Sequence, residues 1–259
     1  MLSATVYFSA LMRDYPGSLA ITAAEPMVSR ETNYFLGNIG KVKTPSDLIH
    51  NSRLYTYVMK AFGLSDMAFA KALISKVLEG GISNPKSLAN TLNDPRYRVL
   101  AAAFDFASNG QQTTSSSTLQ ELTVNNYVEQ TLETNAGKQN QGTQLALYFQ
   151  RMAPNITSAY SILADKNLLK VVQTAFNLPA SMSLQNLDVQ AKMITAHLKI
   201  TDLKNPVKLK AFLDRFTAAY DANNATSTSA FPRSALLVGS PGISTDLLLS
   251  LASLKSGGP

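Results

Sequence analysis

Apolar residues recur along this chain at three- and four-residue spacing almost throughout, and alternating apolar–polar runs longer than a few residues are hard to find. The pattern predicts an all-α protein, a multi-helix bundle. Leu54, Tyr57, Val58, Ala61 and Phe62 form one apolar stripe, with Arg53, Thr56 and Lys60 on the polar side and Gly63 placed to close the helix. Helix starts are marked by proline, whose missing N–H would have no partner in a first turn. Thr44-Pro45-Ser46-Asp47 reads as a capping box, and Asn84-Pro85 and Asp94-Pro95 read as cap-then-proline pairs. The helix from Pro95 is expected to carry Val99, Leu100, Ala103, Phe104 and Ala107 inward and to stop at Asn109-Gly110.

Polar segments divide the chain. The stretch "NGQQTTSSSTLQ" offers little to bury, so the expected organisation is an N-terminal helical half (1–110), a polar linker (111–118) and a C-terminal half (119–222). A polar stretch and tail with one short helix, "STDLLLSLASL", fill 223–259. In the second half, "LTVNNYVEQTLE" and "TQLALYFQRM" are helical patterns separated by the Gly-containing "NAGKQNQG", and a further helix runs from Asp188.

The phrase Ala61-Phe62-Gly63-Leu64 returns as Ala175-Phe176-Asn177-Leu178. Sliding the sequence by 114 residues lays 34–64 over 148–178 with seven identities in 31 positions, several times the roughly two expected from average composition. Leu54, Val58 and Phe62 then meet Leu168, Val172 and Phe176, the expected core of two pseudo-repeated helical halves that bury each other's faces. Allowing seven more residues, Asn84-Pro85, Leu88 and Leu92 fall over Asn205-Pro206, Leu209 and Leu213. Chance similarity between amphipathic helices is the competing explanation.

Four stretches, "RETNYFLGNIGKV", "YVMKAFGLSDMAFAKALISKVLEGG", "NPKSLANTLNDPRYRVLAAAFDF" and "LALYFQRMAPNITSAYSILADKNLLKVVQTAFNLP", together resemble an alphaproteobacterial family, domain of unknown function 1217. The resemblance spans nearly the whole chain, and 84–106 is its most specific part. It implies an all-helical fold and a setting among flagellar genes, where members are often encoded. The family has no established catalytic residues, so it implies none here.

The remaining composition narrows the chemistry. With 259 residues, 45% of them hydrophobic, the chain can bury a sizeable core, and its lack of cysteine excludes disulfides, thiolate metal sites and a cysteine nucleophile. His50 and His197 are the only histidines and show no ligand spacing such as H-E-x-x-H, so no metal or other cofactor is expected. Both read as polar residues at helix ends or faces. Ser83-Asn84-Pro85-Lys86 matches the S-x-x-K pattern of serine acylases, but Pro85 reads as a helix opener and the companion motifs are missing. Ala136-Gly137-Lys138 and "VGSPG" read as ordinary loops, and Glu129 and Glu133 are expected on an exposed face.

Net charge is +6, with the densest basic run from Lys192 through Lys199, Lys204, Lys208 and Lys210 to Arg215. That run reads as a solvated helix face or as a surface for an anionic partner, without a nucleic-acid signature. Nucleic acid is not expected, and no stretch approaches the roughly 20 apolar residues of a membrane span. The N-terminus lacks the basic n-region of a cleaved secretory signal. The first expectation is therefore a non-enzymatic structural or protein-interaction component associated with the bacterial flagellum, cytoplasmic or exported through the flagellar system. A cytoplasmic regulator or export-assisting binder is the alternative, and an unrecognised cell-wall hydrolase the third.

Overall fold

A computed structural model describes residues 2–224. Every described element is helical: α1 (Ala4–Arg13), α2 (Tyr15–Ala24), α3 (Pro26–Ile39), α4 (Pro45–His50), α5 (Ser52–Ala61), α6 (Lys71–Gly80), α7 (Leu88–Thr91), α8 (Pro95–Phe104), α9 (Phe106–Asn109), α10 (Ser117–Gln139), α11 (Gln141–Met152), α12 (Ala159–Leu163), α13 (Lys166–Phe176), α14 (Leu187–His197) and α15 (Pro206–Asn224). Short 3-10 turns join several of them. The all-α expectation holds. The tail helix expected over "STDLLLSLASL" lies outside the described residues.

Caps decide where many of these helices begin. Thr44 and Asp47 form the reciprocal box at α4: Asp47 N donates to Thr44 Oγ1 at 3.2 Å, and Thr44 N donates to Asp47 Oδ2 at 2.9 Å. Asp94 caps α8 ahead of Pro95, accepting from Arg96 N at 2.9 Å. Asn84-Pro85 is different. Lys86 N does donate to Asn84 Oδ1 at 2.9 Å, but the chain makes only a turn there and α7 starts at Leu88. Its supposed counterpart, Asn205-Pro206, opens the long α15, so that extension of the repeat does not carry over to the helices.

The twin phrases end helices in the same way. Leu64 N donates back to Met59 O at 2.7 Å and Gly63 N to Lys60 O at 3.0 Å, with Gly63 at φ +69°. Leu178 N donates to Gln173 O at 2.9 Å and Asn177 N to Thr174 O at 3.3 Å, with Asn177 at φ +52°. Both close on a left-handed residue with two backward backbone bonds, a geometry that favours glycine first and asparagine next.

Two hydrophobic clusters form the core, and α10 belongs to both. Leu119, Tyr127 and Val128 join the cluster built from α3 to α9, while Leu132 and Ala136 join the one built from α11 to α15. The expected linker over 111–118 does not separate these clusters. Thr113 and Thr114 are buried, Thr113 Oγ1 donating to Phe104 O and Thr114 Oγ1 to Val42 O at 2.6 Å, and the chain through Asn223 packs as one compact unit. Hydroxyls that look solvated in sequence here satisfy buried carbonyls. Phe8 of α1 packs in the second cluster, so the N-terminal helix does not belong to the N-terminal half.

Two expected boundaries move. Asp105, at φ +37°, breaks the helix from Pro95, which turns Phe106 inward and leaves Ala107 exposed. The "NAGKQNQG" loop shrinks to Asn140, because α10 continues through Gln139 and α11 starts at Gln141. Asn140 ends one helix in extended backbone and caps the next, accepting from Thr143 N at 3.1 Å.

The described chain is closed end to end. Asp221, near the end of α15, accepts from Ala4 N at 2.7 Å, Thr5 N at 2.9 Å and Thr5 Oγ1 at 2.7 Å. A carboxylate is thereby set on the N-terminal N–H groups of α1, where the helix dipole favours it. Gly142 of α11 permits the approach, since a side chain there would collide with Tyr220 and Ala4.

Leu54, Val58 and Phe62 are buried as expected, and so are Leu168 and Val172, but Phe176 is only half-buried. Its ring lies between Phe212 (centroids 5.7 Å apart) and His197 (5.5 Å), with the Arg215 guanidinium 4.7 Å from its centre. Phe62→Ala is therefore expected to cost about 3–5 kcal/mol, the range for emptying a buried aromatic site. Phe176→Ala should cost about 1–2 kcal/mol, as urea unfolding of both variants will measure.

Candidate functional site

The expected basic face is partly spent on internal contacts. Lys208 Nζ pairs with Asp202 at 2.7 Å and Lys210 Nζ with Asp214 at 2.6 Å, both at the exposed surface where such pairs contribute little. Arg215 donates from Nε to Ala175 O at 2.7 Å, a cation placed on the C-terminal carbonyls of α13. Lys192, Lys199 and Lys204 are exposed. The run is thus a mixture of paired and solvated cations, not one continuous anionic-partner site.

His50 ends α4, exposed, with Nδ1 2.7 Å from Ser46 O. His197 ends α14, also exposed, against Phe176. No group of three or more metal-ligating side chains occurs among the described residues. Ser83 and Lys86 stand exposed on the turn before α7, and Gly137 lies within α10. "VGSPG" lies outside the described residues.

Among the described residues, a dense polar cluster forms where the sequence had pointed to an exposed face. Glu129 and Glu133, expected on an exposed face, look into the junction of α10 and α11; Glu133 is buried and Glu129 half-buried. Arg151 of α11 meets Glu133 with two nitrogens, Nε to Oε1 at 2.5 Å and Nη2 to Oε2 at 3.3 Å. Gln130, its amide oxygen turned to the same guanidinium, accepts from Arg151 Nη1 at 3.1 Å. Arg151 also lies 5.2 Å over the ring of Tyr148, whose hydroxyl donates to Asp165, the cap of α13.

The network continues to the end of α5. Arg96 donates to Gly63 O and pairs with Asp94 at 2.7 Å and Asp66 at 3.1 Å. Gly63 is tightly enclosed: a Cβ there would sit 3.0 Å from the Gln130 side-chain amide and 3.7 Å from Arg151 Nη2. The left-handed turn of the twin phrase is thus held between two arginines.

Burial sets the electrostatics. It pushes the Glu133 carboxyl above its ordinary value, against the opposing pull of Arg151. It works against the Arg151 cation too, but Glu133 holds the guanidinium above its usual value, so we take the pair as ionised at neutral pH. Burial likewise raises Glu129, with Arg151 opposing and Glu133 adding to the rise. Tyr15 and Tyr148 are raised by burial first and by the neighbouring carboxylates next. A raised carboxyl beside an ionised one is the pairing that acid–base chemistry uses. Here Glu133 is occupied by Arg151, and none of five surface clefts is bordered by either glutamate. The arrangement serves as a tie between helices.

Arg151→Met is expected to cost about 3–5 kcal/mol at neutral pH, because it leaves Glu133 buried without its cation. Glu133 then binds a proton in the folded state at a pH where the unfolded chain has released it, so the loss should shrink as pH falls toward the ordinary glutamate range. Urea unfolding of the variant at several pH values will measure it; a loss that does not change with pH would separate Glu133 from the effect.

Comparison with known proteins places the chain. Its structure is similar to the X-ray crystal structure of protein AGR_C_984 from Agrobacterium tumefaciens, with a TM-score of 0.79, 40% sequence identity, and coverage of 86% of this chain and 97% of that one. A search of curated proteins gives no match. No described helix is long and apolar enough to cross a membrane. Residues 61–209, more than half of the chain, match the family model described as "Protein of unknown function (DUF1217)", and the chain belongs to that family.

Proposed function

We propose that the protein is a non-enzymatic structural or protein-interaction component associated with the bacterial flagellum, acting through helical surface. The observation that carries the reading is a division of labour among side chains. In the dense cluster Glu133 and Arg151 are engaged with each other, whereas large apolar side chains stand in solvent. Leu184 is 86% exposed, and Leu187 (61%) and Tyr160 (50%) border, with Pro95 and Leu163, a cleft of about 440 Å³. Binding energy at protein interfaces concentrates in a few anchors, tyrosine among the commonest, and Tyr160 is the exposed aromatic here. The flagellar setting rests on the family resemblance alone.

The same proposal includes a duplicated unit. Across the 114-residue shift, Thr44 and Ser158 cap α4 and α12, and Asn51 and Asp165 cap α5 and α13. Tyr34 Oη lies 3.3 Å from Asn51 Nδ2, and Tyr148 Oη bonds the matching Asp165. Phe35 and Phe149 are both fully buried. Agreement of caps, a tyrosine tether and a core aromatic supports descent from one helical unit more directly than shared amphipathicity does.

Deleting the gene should impair swimming, and His50→Ala and His197→Ala should leave it normal. Joint charge reversal at Lys204, Lys208 and Lys210 tests the basic run, and Leu184→Ser with Leu187→Ser tests the apolar one, which we expect to matter more. Soft-agar motility will read all five strains. Normal swimming in the deletion strain would sink the flagellar reading, and lost motility in a folded histidine variant would sink the non-catalytic one. Loss of the protein from the medium of an export-deficient flagellar mutant would mark an exported component, and its continued presence inside wild-type cells only would favour a regulator or export-assisting binder.

A further inference from the structure

The junction of α10 and α11 holds one more carboxylate than its cation can serve. Glu129 and Glu133 stand one turn apart on α10, and Arg151 is the guanidinium that faces both. Its nitrogens are committed, Nε and Nη2 to the two oxygens of Glu133 and Nη1 to the Gln130 amide oxygen. Glu129 is left half-buried. Among the described residues it has no cation within ion-pair distance.

The neighbouring elements supply no second cation. Tyr15 of α2, which packs on α10, is the third titratable group beside the two glutamates; burial first, then Glu129 and Glu133, holds its hydroxyl above the ordinary value, so it stays neutral. Tyr148 of α11 donates its hydroxyl to Asp165. Lys60 of α5 faces Lys138 and Glu25 instead, and Glu25 accepts from Asn135 Nδ2 at 3.0 Å. With Glu133 and Arg151 paired, an ionised Glu129 is an uncompensated charge in a partly desolvated place, and a single proton restores neutrality.

We propose that this junction is a proton-linked clasp, in which Glu129 takes up one proton under mildly acidic conditions and α2, α10 and α11 are then held together more firmly than at neutral pH. A protonated carboxyl loses far less on burial than a carboxylate does. Burial is the largest influence on Glu129 and holds it above the ordinary glutamate value, with Arg151 opposing and Glu133 adding to the rise. The folded chain therefore keeps a proton that the unfolded chain has released. This contribution to stability is full below the unfolded glutamate value and is lost as pH rises through the folded one. Glu31 and Asp47, held below their ordinary values by the Arg53 guanidinium and by the Lys43 N–H, act in the opposite sense, and only in stronger acid.

The test is urea unfolding of the full chain between slightly alkaline and mildly acidic pH, with Glu129→Gln as the neutral variant of matching shape. Glu121→Gln, at an exposed position of the same helix, is the control. Glu129→Gln should be more stable than the parent at the alkaline end, the two should converge in acid, and Glu121→Gln should follow the parent throughout. Each unit by which Glu129 stands above the ordinary value changes the folding equilibrium about tenfold. Carboxyl-labelled NMR titration of the parent reads Glu129 directly, whatever the variants do. Hydrogen-exchange protection of α2, corrected for the chemical exchange rate, should rise in acid in the parent and stay level in Glu129→Gln. A Glu129→Gln chain no more stable than the parent at the alkaline end, a gap that does not close in acid, or a Glu129 carboxyl that titrates at or below the ordinary glutamate value would overturn the proposal.

Discussion

The buried contact between Arg151 and Glu133 is the constraint around which the helices are arranged. Neither charge can leave water cheaply, so each requires the other at a fixed place. Because Glu133 is on α10 and Arg151 on α11, the two helices must fold back on each other in one register. α10 in turn supplies side chains to both hydrophobic clusters, so the register of this one pair positions two cores. Gln130 and the enclosed Gly63 turn extend the constraint to α5, and Tyr148 extends it through Asp165 to α13. A hydrophobic replacement could stabilise the junction as well, but it would not specify one register.

Much of this architecture was legible along the chain because it is local. The stripe from Leu54 to Phe62, the box at Thr44, the cap at Asp94 and the closing turns at Gly63 and Asn177 each depend on residues within eight positions of one another. Asn84-Pro85 shows the limit of such signals, since a cap and a proline also suit a turn, and tertiary packing decided for the turn. Asp105 shows another: a left-handed aspartate is compatible with, but not announced by, its neighbours.

The polar cluster was not legible for the opposite reason. Glu129 and Glu133 sit at a spacing that normally marks a solvated face, and only a residue 18 positions beyond Glu133 turns that face inward. Thr113 and Thr114 are hidden in the same sense, their burial set by Phe104 and by Val42, 72 residues earlier. Arg215 looked like part of a charge run and is a clamp on the end of α13. In each case the deciding partner lies in a distant segment of the chain, where no periodicity reports it.

The Asp221 carboxylate also dictates an order of events during synthesis. The first helix offers its N-terminal N–H groups as soon as it emerges from the ribosome, but the group that accepts them is made more than two hundred residues later. The cluster in which Phe8 packs is likewise built from residues 132 to 216. At ordinary elongation rates of about 5–20 residues per second, α1 waits on the order of ten seconds or more for its place. During that interval the cluster built from α3 to α9 can already assemble around α5. α1 is therefore made well before its partners and is among the last elements to dock, and its exposed apolar face is the surface that a nascent-chain chaperone would meet.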